Sequence, residues 1–323
     1  MNFAKLEILV ITAVLFLSAN ALAEKYEVGA SPYGPEDEVG ALNEVSDTMI
    51  KQALSSVVSG QVYDLAVEFF YGMPGPQMFE IGVPAYHKMF PMVQSGYDQM
   101  IGDWMPAAAP DGVSYMDEVV LLSLHAGTQI DALSHISYRG RIFNNFNTKD
   151  DLDLHGWKRA GVEKIPPIVT NGILLDVAAA KGVSVLAESY GIGPQDLQDA
   201  LDRQGIEIEK GDAVLIRTGR MTLWPDAEAF YAMTPGLTTE GARWLVERGA
   251  VVVGADNVSV EREPNDPISA HMYLLGQAGV NLIEQMWLED LARDQVYEFA
   301  FVAVPLKFRG GTGSPIRPIA IPQ

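Results

Sequence analysis

Cysteine is absent from the 323-residue chain, which excludes disulfides, thiolate metal sites and a cysteine nucleophile. Basic residues are scarce. The chain has 22 Lys and Arg against 42 Asp and Glu, a formal charge of −20. Nucleic acid and anionic membrane surfaces both require a basic patch, so neither is an expected partner. The N-terminal apolar run, Ile8 to Leu17, is shorter than the ~20 residues that span a bilayer. With Lys5 before it and Ala21-Leu22-Ala23 ahead of Glu24, it reads as a cleavable secretory signal. The mature protein is then expected in the periplasm or outside the cell, and residues 1–23 drop out of the fold. Histidine is also rare, with five in all.

What is present is a large apolar fraction, 48% of residues, enough for a sizeable core. The chain is organised around Val119 to His135. An apolar run, Val119 to Leu124, is bounded like a buried strand. His125 follows, then a tight turn at Gly127 and Thr128. Gln129, Asp131, Leu133 and His135 come next at period two, so an extended segment would point all four the same way. Two of the five histidines thus flank a polar row directly after a buried strand. Such a row is costly unless its groups are satisfied. Metal binding satisfies it; so do hydrogen bonds in the core or at the surface, and the residues alone leave both open.

Elsewhere the pattern alternates strands and helices. Residues 24–60 read as an irregular acidic arm followed by a helix from Ser46 to Val58, with Ser46 or Asp47 as cap. Strands are expected at Gln61–Phe70, Gly172–Val177, Gly211–Thr218, Val251–Ala255, Val296–Val304 and Pro315–Ile321. Helices are expected at Gly193–Arg203, Thr239–Arg248 and His271–Gly279. The long tract 71–114, rich in Pro, Met and aromatics, reads as a lid or substrate wall. No repeat or linker divides residues 61–323, which points to one α/β domain.

The run His125, Gly127, Thr128, Gln129, Asp131, His135 resembles the signature H-x-G-T-H-x-D-x-x-x-H of the metal-dependent cyclase family. That family includes bacterial kynurenine formamidase (arylformamidase) and isatin hydrolase. The match is full except at Gln129, where the better-known members carry a second His. Leu215 to Gly219, Pro235 to Leu237 and Val253 to Glu261 resemble further blocks in the same order. The resemblance implies a mixed β core flanked by helices. It also assigns His271 and Glu284 to the metal site; by themselves they read as a capping histidine and a solvated helix face. Arg217 and Asp256 read as an ion-pair partner and a turn or cap. His87 and His155 match no family motif and are placed as structural or rim residues, with His87 able to enter the pocket on the long tract.

The resemblance therefore implies a ligand set of His125, Gln129, Asp131, His271 and Glu284 around a divalent cation. Without thiolates, Zn²⁺ and Mn²⁺ are both reasonable. The amide of Gln129 tilts the choice toward a single ion or toward Mn²⁺. His135 is the expected proton shuttle. The expected reaction is hydrolysis of a C–N bond in a small amide, formamide or lactam. A lyase acting on a hydroxy acid, or a non-enzymatic binder of metal or solute, are the other readings. The resemblance also implies a homodimer or homotetramer.

Overall fold

The structure is a computed structural model that describes residues 26–70, 73–74, 88–93 and 116–323, with backbone alone at 88–93 and 116–121. The expected signal segment, His87 and most of the Pro-rich tract lie outside the described residues. Nine strands form one sheet: β1 (Tyr63–Asp64), β2 (Gln129–Asp131), β3 (Ile168–Asp176), β4 (Ala213–Arg217), β5 (Val252–Ala255), β6 (Asn281–Glu284), β7 (Glu298–Ala303), β8 (Gly313–Pro315) and β9 (Ile319–Pro322). Across the sheet they run β1-β9-β7-β3-β4-β5-β6-β2-β8. The centre, β3 to β6, is parallel. Both flanks are antiparallel.

Parallel neighbours need long crossovers, and helices supply them. The first helix, α1 (Asp47–Ser55), precedes the sheet and starts where Ser46 accepts a hydrogen bond from the Met49 N–H. Helix α2 (Pro194–Gln204) links β3 to β4, and α3 (Thr239–Glu247) links β4 to β5. Thr238 caps α3 by accepting from the Gly241 N–H. A π-helix, Met272–Ala278, leads into β6.

The core strands are apolar on both faces, as a sheet covered on two sides requires. On one face Ile173, Leu175, Val214, Ile216, Val253 and Leu282 pack under α2, α3 and the π-helix, against Leu197, Leu201, Leu245 and Leu274. On the other, Leu174, Leu215, Val252, Ile283 and Ile130 pack with Phe299, Phe301, Leu288 and Leu291. The fold is thus the mixed α/β domain that the alternation of elements predicts.

Two expected strands differ from their apolar pattern, one by length and one by position. Of Gln61–Phe70 only Tyr63 and Asp64 join the ladder. Beyond them the Val67 N–H donates to the Thr128 hydroxyl at 2.9 Å, so a side chain replaces a neighbouring strand. The strand expected at Val119–Leu124 runs instead from Met116 to Leu121.

A buried histidine–carboxylate centre

Strand β2 has only three residues, and all are buried. Ile130 faces the phenylalanine side of the sheet. Alternation turns Gln129 and Asp131 to the opposite face. Two antiparallel neighbours hold this register. Strand β6 sets Glu284 opposite Gln129 and Leu282 opposite Asp131. Strand β8 sets Gly313 opposite Asp131. Directly opposed residues share a face, so the sheet brings Gln129, Asp131 and Glu284 together. Glu284 therefore stands at the end of a central strand, and not on the helix face that its sequence suggested. The asparagine at the start of β6, Asn281, braces this register by donating its side-chain N–H to the Asp131 carbonyl at 2.8 Å.

The period-two reading fails after Asp131. The strand ends there, and Leu133 and Ser134 form a turn closed by the His135 N–H donating to the Ala132 carbonyl at 2.9 Å. Leu133 turns into the apolar core with Ile142 and Phe143. The same turn carries His135 back over the site. Its ring stacks on that of His125 at 4.1 Å between centroids. Its Nε2 lies 3.9 Å from Asp131 Oδ2.

The remaining contacts close the cluster. His125 Nδ1 is 2.8 Å from Asp131 Oδ1, and its Nε2 is 2.9 Å from the Thr312 hydroxyl. His271, at the mouth of the π-helix, places Nε2 3.0 Å from Glu284 Oε1 and 3.6 Å from Asp131 Oδ2. Gln129 donates through Nε2 to Glu284 Oε2. Gly313 makes room for His125: a Cβ there would stand 2.5 Å from the ring's Cε1. Ligand atoms of His125, Asp131 and His135, and separately of Asp131, His271 and Glu284, lie within 4.8 Å of one another. Asp131 belongs to both groups.

Charge is concentrated here, and the carboxylates of Asp131 and Glu284 are buried. Burial works against ionised Asp131, yet the imidazoles of His135, His125 and His271 outweigh it and hold its pKa well below the carboxylate range. Burial and the charge of Asp131 push Glu284 upward. Burial also opposes charge on His271, but Asp131, Glu261 and Glu284 raise it well above an ordinary histidine. His135 goes the other way, pushed down to about 4 by burial with help from the two other imidazoles. Three buried oxygens of the cluster make no well-aligned hydrogen bond: Gln129 Oε1, Asp131 Oδ2 and Glu284 Oε1, the last with only the oblique approach of His271 Nε2 at 3.0 Å. Unpaired buried acceptors are expensive, and a cation held by Asp131, His271 and Glu284 would answer the two carboxylate oxygens.

Other singled-out residues have structural partners. Arg217 bridges Asp176 and Glu289 at 2.9 and 2.7 Å. Asp256 accepts from Thr218 N, Thr218 Oγ1 and Gly219 N, tying β5 to the turn after β4. His155 is exposed on a surface turn. Three contributors escaped the sequence reading. Thr312 and Gly313 lie just before the expected Pro315–Ile321 strand with no assigned role, and Glu261 sits in a block without one. An aromatic wall also stands near the site, with Phe69, Phe70, Trp224, Tyr231 and Trp287 around Met73 and Phe230. It adjoins the motif, since a Cβ at Gly127 would stand 2.8 Å from the Phe69 ring.

The sequence model of the putative cyclase family matches residues 63–262. The chain belongs to this family. A solved structure described as a novel cyclase shares 30% identity with it at a TM-score of 0.78, covering 90% of this chain and 95% of that one. Kynurenine formamidase of Bacillus cytotoxicus is 29% identical over 204 residues, 63% of this chain and 78% of that protein. Isatin hydrolase A from Ralstonia solanacearum, at 23% identity, shares the fold with a TM-score of 0.58 over 81% of this chain and 92% of that one. The family match spans the sheet from β1 through β5, and with it His125, Gln129, Asp131 and His135.

Proposed function

We propose that this cyclase-family chain is a metal-dependent hydrolase that cleaves the C–N bond of a small amide, formamide or lactam. The observation that carries the reading is the trio of unpaired buried oxygens on Gln129, Asp131 and Glu284, facing His125, His135 and His271. Asp131, Glu284, His271 and His125 would hold a divalent cation, with the Gln129 amide oxygen beside them. Oxygen and imidazole donors without thiolate suit Zn²⁺ or Mn²⁺. When bound, such a cation polarises a carbonyl oxygen and makes water a better nucleophile. The relation to a kynurenine formamidase supports an amide-type substrate.

The chain's own residues supply the rest. Asp131, its pKa held well below the carboxylate range by the neighbouring imidazoles, stays ionised at neutral pH. His135, partly exposed and with its pKa near 4, is neutral at pH 7. Its ring accepts the proton released as water adds to the carbonyl carbon. It returns that proton to the nitrogen as the C–N bond breaks, leaving a carboxylate and an amine. The aromatic residues beside Gly127 supply an apolar surface next to the motif.

His135→Ala tests the assignment. Turnover of N-formyl arylamines or isatin-like lactams is expected to fall 10²–10⁴-fold, the usual contribution of a general acid–base. Metal content should stay at the wild-type level. Unchanged turnover, or a variant that no longer binds metal, removes His135 from the proton-transfer role. Oxygen from labelled water must appear in the carboxylate product; its absence refutes hydrolysis.

A further inference from the structure

We infer that Glu261 is the positioning residue that locks His271 in the tautomer and orientation a cation needs, an inference that rests on the metal-dependent reading above. Glu261 is buried, 5% exposed, on the side of His271 away from Asp131 and Glu284. One of its oxygens, Oε2, accepts the His271 backbone N–H at 3.0 Å. The other, Oε1, lies 3.2 Å from His271 Nδ1. That approach is off the line of a straight hydrogen bond, which leaves Nδ1 among the unpaired buried atoms. A small turn of the ring brings the proton of Nδ1 onto Oε1. With Nδ1 carrying the proton, the lone pair of Nε2 is left for the side where Asp131 Oδ2 and Glu284 Oε1 stand. A carboxylate behind a ligating histidine fixes its tautomer and raises its basicity.

The surrounding chain is built to hold that carboxylate. Asn265 donates to Glu261 Oε1 at 2.9 Å. The preceding residue, Val260, has φ of +60°, a strained value for a β-branched side chain. Strand residue Gly236 lies so close that a Cβ there would stand 2.4 Å from the Glu261 carbonyl group. Asn257 donates to the carbonyls of both Pro235 and Glu261. Asn265 thus holds the Glu261 carboxylate, while the strained Val260, the close Gly236 and the Asn257 amide fix the Glu261 backbone that carries it beside His271.

The test is titration of metal-free wild type, Glu261→Gln and Asn265→Ala with Mn²⁺ and with Zn²⁺, alongside melting of each metal-free protein. Glu261→Gln keeps the shape and removes the carboxylate, so its metal affinity is expected to fall about 10–100-fold. Asn265→Ala, which removes a donor to the Glu261 carboxylate, should lower affinity in the same direction by less; it serves as the test if Glu261→Gln does not fold. At saturating metal, KM should change less than kcat. A purely structural role predicts a lower melting temperature with unchanged metal affinity in both variants, and that result overturns the inference. Wild type that binds neither ion overturns the metal-dependent reading itself, and this inference with it.

Discussion

At the residue scale the informative position is Gln129, where the motif departs from the signature it resembles. Its Nε2 is committed to Glu284, while its Oε1 is buried without a partner. An amide brings no charge and cannot lose a proton, so it can orient Glu284 and lend an oxygen, but it binds a cation more weakly than imidazole does. Gln129→His is therefore expected to raise Zn²⁺ affinity, by up to about 10–100-fold. Gln129→Ala should lower metal affinity, because Glu284 loses its donor. Metal titration of the two variants against wild type checks both. Full metal and full activity in Gln129→Ala would make the residue a bystander.

At the element scale, the short strands β2, β6 and β8 do the assembling. Gly313 on β8 lies opposite Asp131 and under the His125 ring. Gly313→Ala should displace that ring, with weakened metal binding and a stability loss of about 1–3 kcal/mol from overpacking. Metal titration and urea unfolding report the two effects separately. Behind the sheet, Arg217 at the end of β4 holds Asp176 and Glu289. Arg217→Met leaves two carboxylates without their cation and is expected to cost about 3–5 kcal/mol in urea unfolding at pH 7. A cost below 1 kcal/mol would show that solvent reaches the pair. Asp212, just before β4, is the mirror case. Burial, reinforced by Glu209 and Glu298, pushes its pKa up to about 6 against the donors Asn171 and Glu209 N–H. A carboxyl with a raised folded pKa stabilises the fold below its unfolded pKa of 3.8 and loses that contribution as pH rises through 6. Between pH 5 and pH 7, wild type should lose roughly 1–2 kcal/mol relative to Asp212→Asn. Parallel stability curves for the two proteins would contradict this.

At the scale of the whole molecule, the acid excess and the N-terminal segment set the surroundings in which the chain works. We propose export, on the strength of Lys5, the Ile8–Leu17 run and Ala21-Leu22-Ala23. Intact-mass measurement on protein from a bacterial host should find Glu24 as the mature N-terminus; a chain that keeps Met1 and stays with the membrane refutes it. No helix among the described residues is long and apolar enough to cross a membrane.

Much of this protein could be read before any coordinates. Strands β3, β4 and β5 and helices α2 and α3 are continuous apolar or amphipathic segments with local caps, and local forces define them. The motif from His125 to His135 is likewise contiguous, so its spacing alone marks it. Other features needed the tertiary structure. Glu284 looks like a helix face because one residue's neighbours in sequence do not reveal which strand lies opposite; only the pairing of β6 with β2 buries it beside Gln129. Leu133 and His135 share a periodicity with Asp131, yet a turn sends one into the core and the other over the clustered carboxylates. Thr312 and Glu261 come from distant stretches and matter through contacts of 2.9 and 3.2 Å, and Gly313 through the Cβ it lacks beneath the His125 ring. Such contacts are set by sheet register and backbone close approach, which the order of residues along the chain does not encode locally.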